Sequence, residues 1–333
     1  MAYSAGSVIL DDDYNIFATG NADGTANLAQ PNINAIWGSG GGNLGYGQST
    51  TLANVSAGTT VTATQWAALF SRFTDIAAHQ GTTVTAITNP VATDLIEVKT
   101  TFVSDLTTIF NNRANAAASG SDITTNGTTT TTSSWDVSAV LTQTMTFADA
   151  ASARYFFNAG GMIRLAYSRS GGTSSDKNTE WTDLLTKADT IVLTGIGASK
   201  TIAGTTYTGT TKVGGSGAVD TLTTATGFYN LTTSPTTIFK QFADSSPYTS
   251  NFIQITAQVN DNSDPSTITF VTTLSDAAAD TVSPTGDAGV TNLDIVDGTL
   301  TATHVIRPPS TSNLNSASWG TPSMNSVSWV LSS

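Results

Sequence analysis

The sequence predicts a mainly β protein with a helical segment: an extended N-terminal arm, an αα-hairpin and then a β-sandwich with two short helices. Three observations predict this class. From residue 135 onward, short runs of alternating β-branched and aromatic residues lie between turn-forming residues. Two segments before them repeat apolar residues at helical spacing. The first 60 residues show neither pattern.

The composition narrows the classes of function. The 333 residues carry 24 acidic and 12 basic side chains, a net charge of −12, and only 11% of them are charged. A nucleic-acid partner is not expected, because phosphates are bound by clustered Lys and Arg. With no cysteine there are no disulfides and no Cys-based zinc site. No apolar run is long enough for membrane insertion, and a secretory signal pattern is not seen.

Residues 1–60 are predicted to form the extended N-terminal arm. Three aspartates follow Val8–Leu10, and a glycine-rich tract covers Gly38–Gly42. Turn-forming residues of this kind favour loops and short strands. An arm of this composition buries little surface by itself. We expect it to lie on a neighbouring subunit or partner through its aromatic residues, which are Tyr3, Tyr14, Phe17, Trp37 and Tyr46.

Residues 61–119 are predicted to form a helical hairpin. The first helix has Thr62 as its N-cap and ends before Gly81. The second runs from about Val91 to Ala118, and its apolar positions are close to a heptad repeat: Val91, Leu95, Val98, Phe102, Leu106 and Ile109. Two packings suit this pattern. Either the two helices pack on each other, or three copies of the second helix surround an axis.

Residues 120–134 are predicted to be a Thr-rich linker, and residues 135–333 a β-sandwich domain with a C-terminal tail. Short helices are expected at Ala148–Phe157 and Asn178–Lys187. Segments 251–259 and 266–274 are expected to form a hairpin. The other expected strands are Asp136–Phe147, Met162–Tyr167, Ile191–Leu193, Thr205–Lys212, Phe228–Leu231, Ile238–Phe242, Leu293–Val296 and Leu300–Ile306.

The acidic clusters and the histidines are better explained by structure than by chemistry. Asp11–Asp13 and the loop Asp261–Asp264 lack the six to eight spread oxygen ligands that Ca²⁺ prefers. A cation at the second loop remains the alternative. His79 is expected at a helix end and His304 in a strand, and neither has an identifiable catalytic partner.

Motifs of nucleophilic and phosphate chemistry are also missing. Gly215–Gly217 is a turn and not a nucleophile elbow, and Gly38–Gly42 lacks the Lys of a P-loop. Glu97 and Glu180 are the only glutamates, which gives little support to paired-carboxylate chemistry. Isolated arginines are expected to bind carbonyls or carboxylates within the chain: Arg72, Arg154, Arg164 and Arg169. We therefore expect no enzyme, no catalytic, cofactor-binding or metal-binding residues, and no cofactor.

Two tryptophans and a proline pair mark the polar C-terminal tail. Trp319 and Trp329 lie beyond Pro308-Pro309. Closure of the sandwich core explains them in one interpretation. A contact with another subunit or a receptor explains them in the other, because Trp is enriched at interface hot spots.

Several segments resemble virion structural proteins of tailed bacteriophages, in particular tail- and neck-associated proteins of cyanophages and related aquatic phages. The similar segments lie apart in the sequence. They are residues 45–49 (GYGQS), 55–66 (VSAGTTVTATQW), 78–81 (AHQG), 153–164 (ARYFFNAGGMIR), 178–185 around Glu180-Trp181, 306–310 (IRPPS) and 318–322 (SWGTP).

This resemblance implies a non-enzymatic component of the virion, assembled in the host cytoplasm. We expect a tail or neck fibre or appendage protein that docks through its N-terminal part and assembles symmetrically, as a homotrimer, with other tail or neck proteins. A receptor-binding adhesin for host surface glycan and a capsid decoration protein are the alternatives. A depolymerase would require turnover of host polysaccharide.

Overall fold

The computed structural model describes residues 10–91, 101–123, 127–278 and 295–333. It is β-rich, with antiparallel sheets in a sandwich-like arrangement and six α-helices. The predicted class, a β protein with a helical segment, is therefore confirmed. In the ranges described, no helix is both long and apolar enough to cross a membrane.

The elements follow one another as helices first and mainly strands afterwards. The helices are α1 (Asp11–Thr19), α2 (Ile33–Trp37), α3 (Ala63–Gln80), α4 (Phe102–Asn111), α5 (Ala150–Asn158) and α6 (Asp176–Ala188). The strands are β1 (Thr128–Thr131), β2 (Ser138–Thr146), β3 (Met162–Ser170), β4 (Thr190–Leu193), β5 (Lys200–Ile202), β6 (Thr205–Tyr207), β7 (Thr210–Val213), β8 (Thr221–Leu222), β9 (Thr236–Phe242), β10 (Phe252–Val259), β11 (Thr267–Ser275), β12 (Thr299–Arg307), β13 (Ser323–Ser326) and β14 (Val330–Ser332).

Two antiparallel sheets form the sandwich. The five-stranded sheet has the order β1-β12-β3-β4-β7. The seven-stranded sheet has the order β13-β2-β11-β10-β9-β8, and β14 pairs with β2 on the same side as β13. Strands β5 and β6 form a separate two-stranded sheet. The hairpin predicted between residues 251 and 274 is confirmed as β10 and β11.

Alternation of buried and partly exposed side chains along the long strands sets the two faces of each sheet. In β2, β10, β11 and β12 every second side chain is buried. This period of two is what a strand with one face on a core requires. The inward side chains include Leu141, Met145, Ile253, Ile255, Ile268, Phe270, Leu300 and Ile306.

A buried polar cluster ties the inner faces of the two sheets together. The Tyr167 hydroxyl lies 2.5 Å from Thr272 Oγ1 and donates to Gln143 Oε1 at 3.2 Å. Gln143 Nε2 lies 3.0 Å from His304 Nδ1. These bonds cross from β3 and β12 to β2 and β11, and they satisfy polar groups that burial would otherwise penalise. His304 is thus a structural residue, as expected.

Helices α5 and α6 cover opposite ends of the sandwich. At the end where β2 begins and β11 ends, the fully buried Lys177 of α6 lies 3.2 Å from Asp136 and 2.8 Å from Asp276. At the other end, Phe156 and Phe157 of α5 pack against Phe147. The helical predictions for these two segments are confirmed within two residues at each end. The N-cap of α6 is Ser175.

The N-terminal segment differs from the extended arm that was predicted. Two helices, α1 and α2, replace the expected short strands. Four of its five aromatic residues are buried within this same chain: Tyr14, Phe17, Trp37 and Tyr46. The fifth, Tyr3, lies outside the described residues. The reason is local: both helices are too short to show a helical period, and caps mark them instead. Asn32 caps α2, and Gly20 ends α1 in the left-handed region.

The helical hairpin packs as one of the two predicted arrangements. A capping box between Thr62 and Gln65 begins α3, and Gly81 follows its end. Helix α4 ends at Asn111 and not near Ala118, and the predicted start of this helix lies mainly among residues 92–100, outside the described ranges. The Phe102 ring contacts rings of α1 and α3, namely Phe17, Phe70 and Phe73. With Leu106 and Ile109 also buried, this seam is not free to form a three-fold axis.

Smaller differences concern segments whose pairing is set by distant strands. Within the predicted linker, Thr128–Thr131 pair with β12 as an edge strand. Residues 228–230 form a 3₁₀ turn instead of a strand, and 205–213 divide into β6 and β7. Strands β13 and β14 were not predicted. Of the expected strand 293–296, Val296 forms a bridge with Trp135, and the first two residues lie outside the described ranges.

Phe73→Ala is expected to lower the unfolding free energy by about 3–5 kcal/mol, because it empties a fully buried ring site between α3 and α4. Thr74→Ala is the control, since Thr74 is the exposed neighbour on the same helix and such changes stay within about 0.5 kcal/mol. Urea denaturation followed by circular dichroism measures both. Equal losses in the two variants would contradict this packing.

Candidate functional site

Residues 38–48 form a loop that joins the helical part to the sandwich. The carboxamide of Gln48 is central to this contact. Its Nε2 donates to Ser316 O and Ser318 Oγ, both at 3.2 Å, and its Oε1 accepts from Asn315 N at 2.8 Å and Ser316 N at 3.0 Å. Gln48 is buried. The Gln48 carboxamide therefore supplies hydrogen-bond partners to main-chain groups of Asn315 and Ser316, which are not part of a strand.

A second buried carboxamide, Asn158 at the end of α5, holds the same loop from the other side. Its Nδ2 donates to Leu44 O at 2.9 Å and Gly45 O at 3.0 Å, and lies 3.3 Å from Gly42 O. Its Oδ1 accepts from the Tyr229 hydroxyl at 2.7 Å. The two N–H groups of one side chain thus pair with carbonyls of the glycine-rich loop and fix the loop against the sandwich.

Two glycines allow the close approach. Gly45 has φ 87° and Gly47 has φ 72°, a region that residues with a Cβ rarely adopt. A Cβ at Gly47 would lie 2.4 Å from the Tyr155 ring. Arg154 Nη2 donates to Ser39 O at 2.7 Å from the same helix. The glycine-rich tract therefore closes a contact within the chain, in agreement with its interpretation as a loop.

His79 lies where α3 meets the end of α5. Its Nε2 lies 3.0 Å from Ala159 O, and its ring centroid is 4.9 Å from that of Tyr46. Burial lowers the pKa of His79 to about 4, so the imidazole is neutral at pH 7 and Nε2 is the donor to the carbonyl. The next residue, Gln80, donates to the Tyr46 hydroxyl at 3.0 Å and to Ile109 O at 2.9 Å.

We name Tyr46, Gln48, His79, Gln80 and Asn158 together the joint. Each of these side chains bonds to main chain or to another member of the set. Their donors and acceptors are used in holding the helical part, the loop and the sandwich in one orientation. The joint therefore fixes the helical part and the sandwich relative to each other.

Three carboxylates on the α6 end of the sandwich form a cluster. Oxygens of Glu180, Asp183 and Asp244 lie within 4.8 Å of one another, a spacing that a metal ion can bridge. Lys187 already supplies a cation there, with Nζ 2.5 Å from Asp183 Oδ2 and 2.7 Å from Asp244 Oδ1. These hydrogen bonds raise the pKa of Lys187. Glu180 Oε1 accepts from Asp244 N and Ser245 N. The cluster is an ion-pair network that ties α6 to the end of β9.

Sequence reasoning missed this network. Glu180, Asp183 and Lys187 have the i, i+3, i+7 spacing that places them on one helix face, and this signal was available. Asp244 lies 57 residues beyond Lys187 and approaches only through the fold. Glu97, the other glutamate, lies outside the described residues.

The acidic segments that sequence analysis considered have local roles. Asp11–Asp13 form the first turn of α1, where negative charge complements the helix dipole. In the 261–264 loop, Asp261 Oδ1 accepts from Ser263 N at 2.7 Å and Asp264 N at 3.0 Å, and these bonds lower the pKa of Asp261. This is the Asx-turn geometry of a hairpin loop.

Three of the four isolated arginines bind carbonyls within the chain, as predicted. Arg72 Nε donates to Thr50 O at 3.1 Å, and Arg169 Nη1 donates to Asn178 O at 3.1 Å. Arg154 binds the glycine loop as described.

Ser216 O, in the Gly215–Gly217 turn, accepts from Lys212 Nζ at 2.9 Å. That segment is therefore a turn between β7 and β8.

Both C-terminal tryptophans belong to the core. Trp319 is 3% exposed and Trp329 is 8% exposed. Trp329 Nε1 donates to Thr129 O at 3.3 Å, so the ring covers the edge strand β1. Pro308 O accepts from Gly120 N at 2.8 Å. Closure of the core is thus the interpretation that the structure supports, and neither ring is placed to meet a receptor.

Comparison of the chain with protein-family models, with curated proteins and with solved structures finds no match. Function must therefore be argued from the residues and contacts described above.

Asn158→Asp is expected to lower the unfolding free energy by about 3 kcal/mol. The change keeps the shape of the side chain but replaces the donor to the Leu44 and Gly45 carbonyls with a charged acceptor. Asn54→Asp is the matched control, because it adds the same charge at an exposed position. Chemical denaturation gives the stability, and amide exchange in residues 38–48 should accelerate in the first variant only. Unchanged exchange in that loop would contradict the role of Asn158.

His79 is expected to make the protein less stable in acid. Its pKa is about 4 in the folded state and roughly 6.5 when unfolded, so unfolding takes up a proton as the pH falls from about 7 to 4. This group alone removes up to about 3 kcal/mol over that range. His79→Gln keeps a donor and does not titrate. The difference in unfolding free energy between wild type and variant, measured at several pH values, should therefore change over this range. A constant difference would show that His79 is not buried in its neutral form.

Proposed function

We propose that this chain is a non-enzymatic structural component of a tailed-phage virion, most simply a tail or neck protein that works by docking and symmetric assembly. The observation that carries the proposal is the convergence of the segments that resemble such proteins. Four of these seven segments, separated in sequence, meet at the joint.

The contacts between these segments are specific. Gln48, from the segment 45–49, bonds to Ser318 of the segment 318–322, 270 residues away. Asn158, from the segment 153–164, bonds to Gly45. His79, from the segment 78–81, bonds to Ala159. Four of the similar segments thus meet through side-chain hydrogen bonds to one another.

A mechanical function suits this arrangement. The joint fixes the helical part on the sandwich, so a force or a binding event at one part displaces the other as a unit. Docking through the aromatic residues of the N-terminal segment is not part of the proposal, because these residues are buried in the chain itself. The exposed apolar side chains of the helical part, Leu10 and Val103, are the more suitable docking contacts. Assembly likewise uses a surface other than the buried seam of α4.

The alternative of a receptor-binding adhesin is weakened because its proposed glycan contact, Trp319, is buried. A glycan contact through Trp319 requires the indole ring to be accessible, and this ring is part of the core. A capsid decoration protein belongs to the same structural class as our proposal and differs only in its station on the particle.

Gold-labelled antibody against the purified chain should bind tailed particles propagated in the host that produces it. We expect label at the tail or neck on electron micrographs, because the proposal places the chain in the finished virion. Label confined to the capsid surface would favour a decoration protein. Particles that carry no label, with all of the chain in the soluble fraction of the lysate, would contradict the proposal. Particles incubated with pre-immune serum are the control.

A further inference from the structure

We propose that the outward face of β2, β10, β11, β13 and β14 in the seven-stranded sheet is the surface on which a second copy of this chain packs. The inference rests on the proposed function, because it names the surface through which symmetric assembly would take place. It is argued from the register of the strands, the distribution of charge and the size of the face.

Regular rows of small hydroxyl side chains cover this face. On β2 and β11 the register pairs Thr146 with Thr267 and Thr144 with Thr269, and the two hydroxyl oxygens of the latter pair lie 3.5 Å apart. Their alternation with buried residues places these side chains outward. We call the set the threonine face. It also contains Ser138, Val140, Thr142, Gln254, Thr256, Gln258, Val271, Thr273, Ser275, Ser323, Asn325 and Val330.

The threonine face has no charge in a chain of net charge −12. None of the residues of β2, β10, β11, β13 and β14 is Asp, Glu, Lys or Arg, although 11% of the chain is charged. Two copies of so acidic a protein repel each other over most of their surface. This face is where they can approach without burying an unpaired charge, which would cost several kcal/mol.

The outward face of the five-stranded sheet differs in this respect. It is also rich in threonine, since Thr301 and Thr303 of β12 alternate with buried residues. However, Arg164 and Arg307 lie on the same face, at positions of β3 and β12 that alternate with buried residues. Arg307 forms an ion pair with Asp122. This second face therefore has the same hydroxyl chemistry but carries charges.

Strands β8 and β9, which continue the sheet beside the threonine face, carry one charged residue, Lys240, and aromatic rings partly screen it. Lys240 of β9 has its Nζ 4.4 Å from the Phe242 ring centroid and 4.1 Å from that of Phe252. Such contacts stabilise an ammonium group at a protein surface.

The size of the face is just sufficient. Because β13 and β14 follow one another along the same edge of β2, the face is four strands wide. At about 4.8 Å between strands and about nine residues of 3.4 Å each, it spans on the order of 600 Å². Two such faces together give about 1,200 Å², the lower end of the range that stable interfaces bury. A contact of the face with itself is isologous, so the assembly unit is a two-fold dimer with the sheets about 10 Å apart. Threonine methyl groups would supply the apolar area and the hydroxyls the hydrogen bonds.

Thr269→Glu tests the proposal by placing a carboxylate at the centre of the face. Thr301→Glu is the matched control, because Thr301 is an outward threonine on a central strand of the other sheet. Sedimentation equilibrium of the full chain should give a dimer for wild type and for Thr301→Glu. For Thr269→Glu we expect the dissociation constant to rise at least about 100-fold, because each copy would bury an unpaired charge. Thr256→Glu on β10 repeats the test if the first variant does not fold, as judged by circular dichroism.

Three outcomes would overturn the inference. These are a wild type that sediments as a monomer throughout, two variants that both keep the wild-type mass, and two variants that dissociate equally. In each case gold label on the particles would leave the virion proposal intact, whereas a dimer without such label would support the surface and not the virion function. A dimer that only Thr269→Glu or Thr256→Glu dissociates supports the threonine face as the contact.

Discussion

Main-chain groups in the long irregular segments must be hydrogen-bonded once they are buried, and this constraint governs the structure. Between residues 38 and 62 the chain forms no helix or strand, yet Tyr46, Leu52 and Val55 are in the core. Carboxamide side chains supply the missing partners. Asn15 bonds to both the N–H and the C=O of Val55, and Asn34 does the same for Leu52, as a neighbouring strand would.

The use of buried carboxamides in place of buried charges agrees with the low content of charged residues in the chain. A carboxamide offers a donor and an acceptor in one side chain, and its burial costs little when both are used. A buried charge needs an opposite charge as well, as Lys177 shows with its two aspartates. Few such pairs occur among the described residues, and there are no disulfides. Amide pairing, together with aromatic packing around Phe102 and Phe156, therefore carries much of the tertiary specificity.

Strong local periodicity decided which elements could be predicted from the sequence. Helix α3 has a long apolar stripe and caps at both ends, and β10 and β11 alternate over eight or more residues, so each was placed closely. Helices α1 and α2 are too short to show a period, and β1 is a run of threonines that becomes a strand only because β12 lies beside it. The joint could not be predicted, because Gln48 and Ser316 are neighbours only in the folded chain. The network around Glu180 could be predicted only in part. Glu180, Asp183 and Lys187 share one helix face, whereas Asp244 lies outside that helix.

The sequence distance that the joint spans has a consequence for synthesis. Gln48 meets residues 315–318, so this contact cannot exist on the ribosome until nearly the whole described chain has emerged. Until then the Gln48 carboxamide lacks its partners in residues 315–318, and Gly47 O lacks the Ser318 hydroxyl. Closing so long a loop is entropically costly and slow. A chain that stops short of residue 315 therefore leaves one side of the loop unpaired, while Asn158 and Arg154 still hold the other side.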